Sequence, residues 1–178
     1  MISRLAMTMI LISGNGFPAQ PASNEYDVKA AFLVNFASFV EWPEGSFQKP
    51  DDPILICVLG RDPFGRALDD VAAGKSISGR PIALRKLADP RNASGCRILF
   101  IHSLERKKTT PLSRVLPEQG VLTVGEEDGP SPESMIVNFT IEKGRVRFSV
   151  NLDIAEREKL QLSSRLLGLA SSVRKQAK

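Results

Sequence analysis

Three short stretches of this chain are apolar almost without a break: Ile54 to Gly60 (ILICVLG), Cys96 to His102 (CRILFIH) and Gly120 to Gly125 (GVLTVG). A strand with one wet face alternates apolar and polar residues, whereas a strand covered on both sides does not. The runs therefore predict central strands buried between two layers. Around them the chain reads as helix and strand in alternation. Tyr26 to Trp42 is helical by period, with Val28, Ala31, Phe32, Asn35, Phe36 and Phe39 along one stripe, Ala30, Leu33, Ala37 and Val40 on the other side and Pro43 as its stop; a helix apolar nearly all round is expected to be buried on both faces or to lie under a partner. Phe64 to Ala73 predicts a short helix capped by Asp62, Pro81 to Arg85 a strand, and Leu112 to Leu116 a short helix between prolines. Ser134 to Glu142 and Arg145 to Asn151 predict a hairpin turning at Lys143-Gly144, after a loop from Glu126 to Ser134. Asp153 to Leu160 and Ser163 to Lys175 predict two helices, the second with Leu162, Leu166, Leu169 and Val173 on one stripe. The expected architecture is a single α/β domain, a mixed β-sheet with helices on both faces.

The first residues are expected to stand outside that domain. Arg4 precedes an apolar stretch from Leu5 to Ile12, and Gly14 to Ser23 is rich in Gly, Pro, Ala and Ser. This is the layout of a secretory signal, so residues 1–22 are read as a signal peptide and 23–178 as the domain, with cleavage between Ala19 and Ser23. A cytoplasmic N-terminal extension is the alternative. Composition narrows the function classes. A hydrophobic share of 42% with 25% charged residues is ordinary for a folded domain. A net charge of +4, scattered along the chain, does not indicate a nucleic-acid binder. One His and two Cys disfavour a zinc site.

Export changes the reading of Cys57 and Cys96. In an oxidising compartment an isolated pair reads first as a disulfide, with two buried thiols as the alternative. Other chemistry is thin. Gly60 to Gly65 has phosphate-loop spacing but lacks the Lys-Ser/Thr that reaches phosphates. His102 ends a strand without an assignable acidic partner and reads as structural. The acidic run Glu126-Glu127-Asp128 reads as a solvated face. No catalytic residue, cofactor or metal is expected, and the residues alone point to a binding or regulatory protein. Trp42, at a helix end, suits an interface.

A resemblance goes further. Tyr26-Asp27-Val28-Lys29-Ala30-Ala31-Phe32-Leu33, Asn35-Phe36 and Phe39-Val40-Glu41-Trp42-Pro43 resemble the opening of the YfiR family. Ile56 to Gly60 with Asp62 to Gly65, Gly79 to Ile82, Cys96 to Ile101, Val121 to Val124, Ile136 to Phe139, Val146 to Asn151 and Leu162 to Leu167 continue it in order. The resemblance implies a periplasmic α/β protein that binds the sensor region of a membrane diguanylate cyclase of YfiN type and lowers cyclic-di-GMP signalling, with effects on biofilm and motility. It implies as further partners an outer-membrane lipoprotein of YfiB type and a second copy of the chain, and it matches Cys57 and Cys96 to a family disulfide. The best-known member has a further cysteine pair near the hairpin, which this chain lacks, so redox control through a second bridge is in doubt. Trp42, Leu160 and Leu166 are the expected partner-binding anchors, plain core being the alternative for all three and the favoured one for Leu166. The rival reading is a small-molecule-binding module acting with another membrane receptor or kinase.

Overall fold

The computed structural model describes residues 25–102, 116, 120–126 and 134–175. The three apolar runs form β2 (Ile54–Leu59), β5 (Cys96–Ile101) and β6 (Leu122–Glu126), adjacent in one mixed sheet. With β1 (Val40–Glu41), β3 (Ser76–Ile77), β4 (Arg80–Leu87), β7 (Val137–Glu142), β8 (Arg145–Asn151), β9 (Gln161–Leu162) and β10 (Ser172–Arg174), the strands make an eight-stranded sheet in the order β10-β8-β7-β6-β5-β2-β4-β3 and a separate β1-β9 pair. The block from β4 to β7 is parallel throughout. From β2 the chain goes to β4 on one side and then returns to β5 on the other, so the order reverses between β2 and β5. The carboxyl ends of strands at such a reversal leave a crevice where ligands bind in open α/β sheets.

One face of the sheet carries Ile54, Ile56, Val58, Ile98, Phe100, Leu122 and Val124, packed with α1 (Glu25–Phe36), α2 (Ala67–Ala72), α3 (Leu152–Arg157) and α4 (Ser164–Leu169). Its aromatic centre is Phe36, whose ring lies 5.8 Å from Phe139 and 5.2 Å from Phe148, cross-strand partners on the hairpin. The other face carries Cys57, Leu59, Leu99 and Ile101, covered by Leu87, Ala93, Val121, Met135 and Leu116. The helix expected over Leu112–Leu116 lies outside the described residues, Leu116 apart.

The single α/β domain with a mixed sheet is therefore as read from the sequence, and the hairpin turns where expected, at Lys143 (φ 50°) and Gly144 (φ 73°). Four local expectations change. The first helix stops at Phe36, passes through a 3-10 turn at Ala37–Phe39 and becomes β1, because Val40 and Glu41 pair with Leu162 and Gln161 and Ser163 N–H donates to the Phe39 carbonyl at 2.9 Å. Its buried residues are Lys29, Ala30, Leu33, Val34 and Phe36, so of the expected stripe Phe36 is buried, Val28, Ala31 and Phe32 are half-buried and Asn35 is exposed, while Ala30, Leu33 and Ala37 of the other side are buried as read. Asp62 accepts from Phe64 N–H at 2.8 Å and closes the turn ahead of α2 instead of capping it. The last predicted helix is only α4, capped by Ser163; Ser171 then donates its N–H and its hydroxyl to the Phe148 carbonyl and the chain joins the sheet as β10 beside β8.

Gly125 shows how closely the strands are packed. A Cβ there would lie 2.9 Å from Asn138 Oδ1 and 2.9 Å from Met135 Cγ. Gly125→Ala is expected to cost about 1–3 kcal/mol by overpacking, read as a lower urea midpoint with an unchanged slope.

Candidate functional site

Cys57 and Cys96 are joined, with Cα atoms 5.9 Å apart. A register shift brings them together. Leu55 faces Cys96 but Ile56 faces Ile98, so Arg97 is an extra residue in β5. Such a bulge re-aims the residues beside it; here Cys96 enters the same cluster as Cys57. Arg85 of β4 donates to Cys96 Sγ at 3.2 Å and to the Ser94 carbonyl. The bridge fits an oxidising compartment.

The bulge also organises the surface around Trp42. Trp42 is partly buried, and its Nε1–H donates to the carbonyl of Arg97 at 3.4 Å. Its ring meets the edge of Phe47 at 5.9 Å. Phe47 in turn lies 3.9 Å from the Arg80 guanidinium and 5.3 Å from that of Arg97. The indole is thus fixed by its polar edge, with part of its ring still accessible. The other two expected anchors are corrected by burial: Leu160 is 4% and Leu166 1% exposed, both inside the first core cluster. The period of the leucines marks them as apolar but does not say which way they face. The large apolar side chains that are exposed among the described residues are Ile141 on the hairpin, 46% exposed, Leu169 on α4, 57% exposed, and Val173 on β10, 42% exposed. Leu162, Leu167 and Ala170 are partly buried and pack beneath, against the core.

At the carboxyl ends of β5 and β6 lies a polar cluster that the sequence did not reveal as a unit. Lys29 Nζ is 2.5 Å from Glu126 Oε1, with side chains only 4% and 7% exposed, and also pairs with Glu25. Tyr26 Oη lies 3.2 Å from His102 Nε2, which is 3.9 Å from Glu126 Oε2. Burial, then the charge and hydrogen bonding of Glu126 and the charge of Glu25, hold the Tyr26 hydroxyl well above the usual tyrosine range. It is therefore a neutral donor at physiological pH. Glu126 is the acidic neighbour of His102 that could not be assigned from the sequence, and it is buried where a solvated position was expected; the rest of the acidic run lies outside the described residues. The available signal was Lys29, a cation inside an otherwise apolar helical stretch.

The glycine-bounded loop after β2 is filled by the chain itself. Phe64 is 5% exposed, and Asp62 pairs with Lys86 at 2.7 Å while it accepts from Phe64 N–H. The sequence model of the family described as YfiR/HmsC-like matches residues 26–171 of this chain.

Proposed function

The chain belongs to that YfiR/HmsC-like family, and from this membership we propose that it is a periplasmic, non-catalytic repressor that binds the sensor region of a membrane diguanylate cyclase of YfiN type and lowers cyclic-di-GMP output. The family membership carries the reading. The buried disulfide supports the compartment, and the outward-facing Leu169 and Val173 support a protein contact.

The mechanism is stoichiometric. A repressor shifts a two-state sensor only by its difference in affinity for the two states. A hundredfold preference corresponds to about 2.7 kcal/mol, which two or three apolar anchors in a desolvated contact supply. In this reading Leu169 and Val173 are the anchors, and the accessible part of Trp42, just after β1, is a further contact. Leu160 and Leu166 hold the surface from beneath. An outer-membrane lipoprotein of YfiB type would relieve repression by competing for the same protein.

Deleting the gene is expected to raise intracellular cyclic-di-GMP several-fold, and the wild-type gene on a plasmid to restore it. A Leu169→Asp/Val173→Asp chain is expected to melt within about 2 °C of wild type, since exposed positions contribute little to stability, yet fail to restore the low level. An unchanged nucleotide level on deletion overturns the repressor reading. Full restoration by the double variant overturns the proposed surface.

A further inference from the structure

The sheet ends on one side at β3, which is two residues long and pairs only with Arg80 and Pro81 of the eight-residue β4. Past those two residues the outer edge of β4 is open. Ile82 turns its N–H outward, donating to the Lys75 carbonyl at 3.0 Å, and Leu87 turns its carbonyl inward, accepting from Gly60 N–H at 2.8 Å. Backbone groups alternate sides along a strand, so Leu84 and Lys86 direct both their N–H and their C=O away from β2. Among the described residues nothing bonds to these four groups.

A cavity of about 110 Å³ opens at the same edge. Val58, Leu68 and Leu84 give it an apolar lining, and Asp62, Asp69 and Lys86 bring charge to it. Lys86 Nζ lies 2.7 Å from Asp62. The hydrogen bond and charge of Asp62, then the charge of Asp69, raise the Lys86 ammonium above its usual value. Arg85 also borders the cavity, but its guanidinium serves the opposite face, donating to the Ser94 carbonyl and to Cys96 Sγ. Two carboxylates therefore share one ammonium there.

We infer that the β4 edge adds an extended strand of a partner protein, with a lysine or arginine of that strand opposite Leu84. A row of open backbone donors and acceptors is the template for another strand. Strand addition draws affinity from main-chain hydrogen bonds and specificity from pockets for alternate side chains. This cavity suits a side chain with an apolar stem and a cationic head: the stem lies along Val58, Leu68 and Leu84, and the head meets the excess carboxylate. A second copy of the chain is the poorer fit. Paired antiparallel about Arg85, it sets its Lys86 opposite Leu84, and that lysine is already held by its own Asp62. The edge lies at the far end of the sheet from Val173 on β10, so this goes beyond the repressor reading and does not rest on it.

The test is titration of the isotope-labelled chain, followed by nuclear magnetic resonance, with the capped peptide Thr-Val-Thr-Lys-Thr-Val and with its glutamate-for-lysine counterpart. The lysine peptide is expected to shift the amide resonances of Leu84 and Lys86 and to slow their hydrogen exchange. The glutamate peptide is expected to bind about tenfold more weakly, and Asp69→Asn to narrow that gap to about threefold. Lys86→Pro removes an outward N–H and no bond to β2, so it is expected to fold and to lose about tenfold or more in affinity. Lys86→Gln, which keeps the N–H, is expected to bind at least as tightly as wild type. A lysine peptide methylated on the backbone nitrogens that face β4 tests the same bonds on unaltered protein and is expected not to bind. Binding by neither peptide, shifts confined to other strands, or equal binding of the lysine and glutamate peptides overturns the inference. Undiminished binding by Lys86→Pro or of the methylated peptide does so too. So does sedimentation that finds a dimer which Lys86→Pro dissolves, since the occupant would then be a second copy.

Discussion

Cys57→Ala/Cys96→Ala is expected to lose about 4 kcal/mol of stability, the loop-closure value for a separation of 39 residues. For a chain of this size that lowers the melting midpoint by about 10 °C. Both cysteines are 0% exposed, so the alanines also forfeit packing in the second cluster, and the loss should not fall below the entropic value. Either single variant is expected to cost nearly as much as the pair, since breaking one end breaks the bridge. Reductant should lower the wild-type midpoint and leave the double variant unmoved. The effect should reach the surface too. Cys96 adjoins the bulge at Arg97, whose carbonyl accepts from Trp42 and whose guanidinium lies over Phe47. Without the bridge that edge loses its closest covalent anchor, and Trp42 fluorescence is expected to shift toward the exposed range below the global transition. Thermal melts followed by circular dichroism and by fluorescence check both claims, and a midpoint change under about 2 °C would refute the first.

The bridge was legible because each cysteine lies in an apolar run, and apolar runs become neighbouring strands. The hairpin was legible for a similar local reason: alternation on both arms and a Lys-Gly pair that accepts two positive φ angles. What was not legible depends on contacts remote in sequence. Val40 and Leu162 each look helical in isolation, yet they pair as two-residue strands. Val173 continues a leucine period that would suit a helix, but its place is beside Val150 in the sheet. Leu160 and Leu166 were marked by the same period that marks core and interface alike, and only burial separates the two. Burial on the second side of α1, at Ala30, Leu33 and Ala37, was legible from an apolar pattern that runs nearly all round. The burial of Lys29 among them was not, because an apolar pattern excludes lysine.

Lys29 is therefore the most informative single position in the fold. Lys29→Ala is expected to cost about 3–5 kcal/mol, because it strands the Glu126 carboxylate without its cation inside the protein. The side chain of Glu126 is only 7% exposed. Glu25, the other partner of Lys29, is 43% exposed, and solvent there screens the pair. Glu25→Ala is expected to cost under about 1 kcal/mol. The pair as a whole need not be strongly stabilising, since burying two charges offsets much of their attraction. Lys29→Met/Glu126→Leu is accordingly expected to lie within about 1 kcal/mol of wild type or above it, giving a large coupling in a double-mutant cycle. Urea unfolding at neutral pH measures all of these. If Lys29→Ala costs under about 1 kcal/mol, or the double variant costs as much as the single, the buried pair is not what sets the rotation of α1. Tyr26, one turn ahead of Lys29, lies 4.7 Å from its ammonium at the ring centroid and 3.2 Å from His102 Nε2 at its hydroxyl. The cation that the apolar pattern of the helix concealed thus sits against both the buried carboxylate and the tyrosine of the cluster at the strand ends.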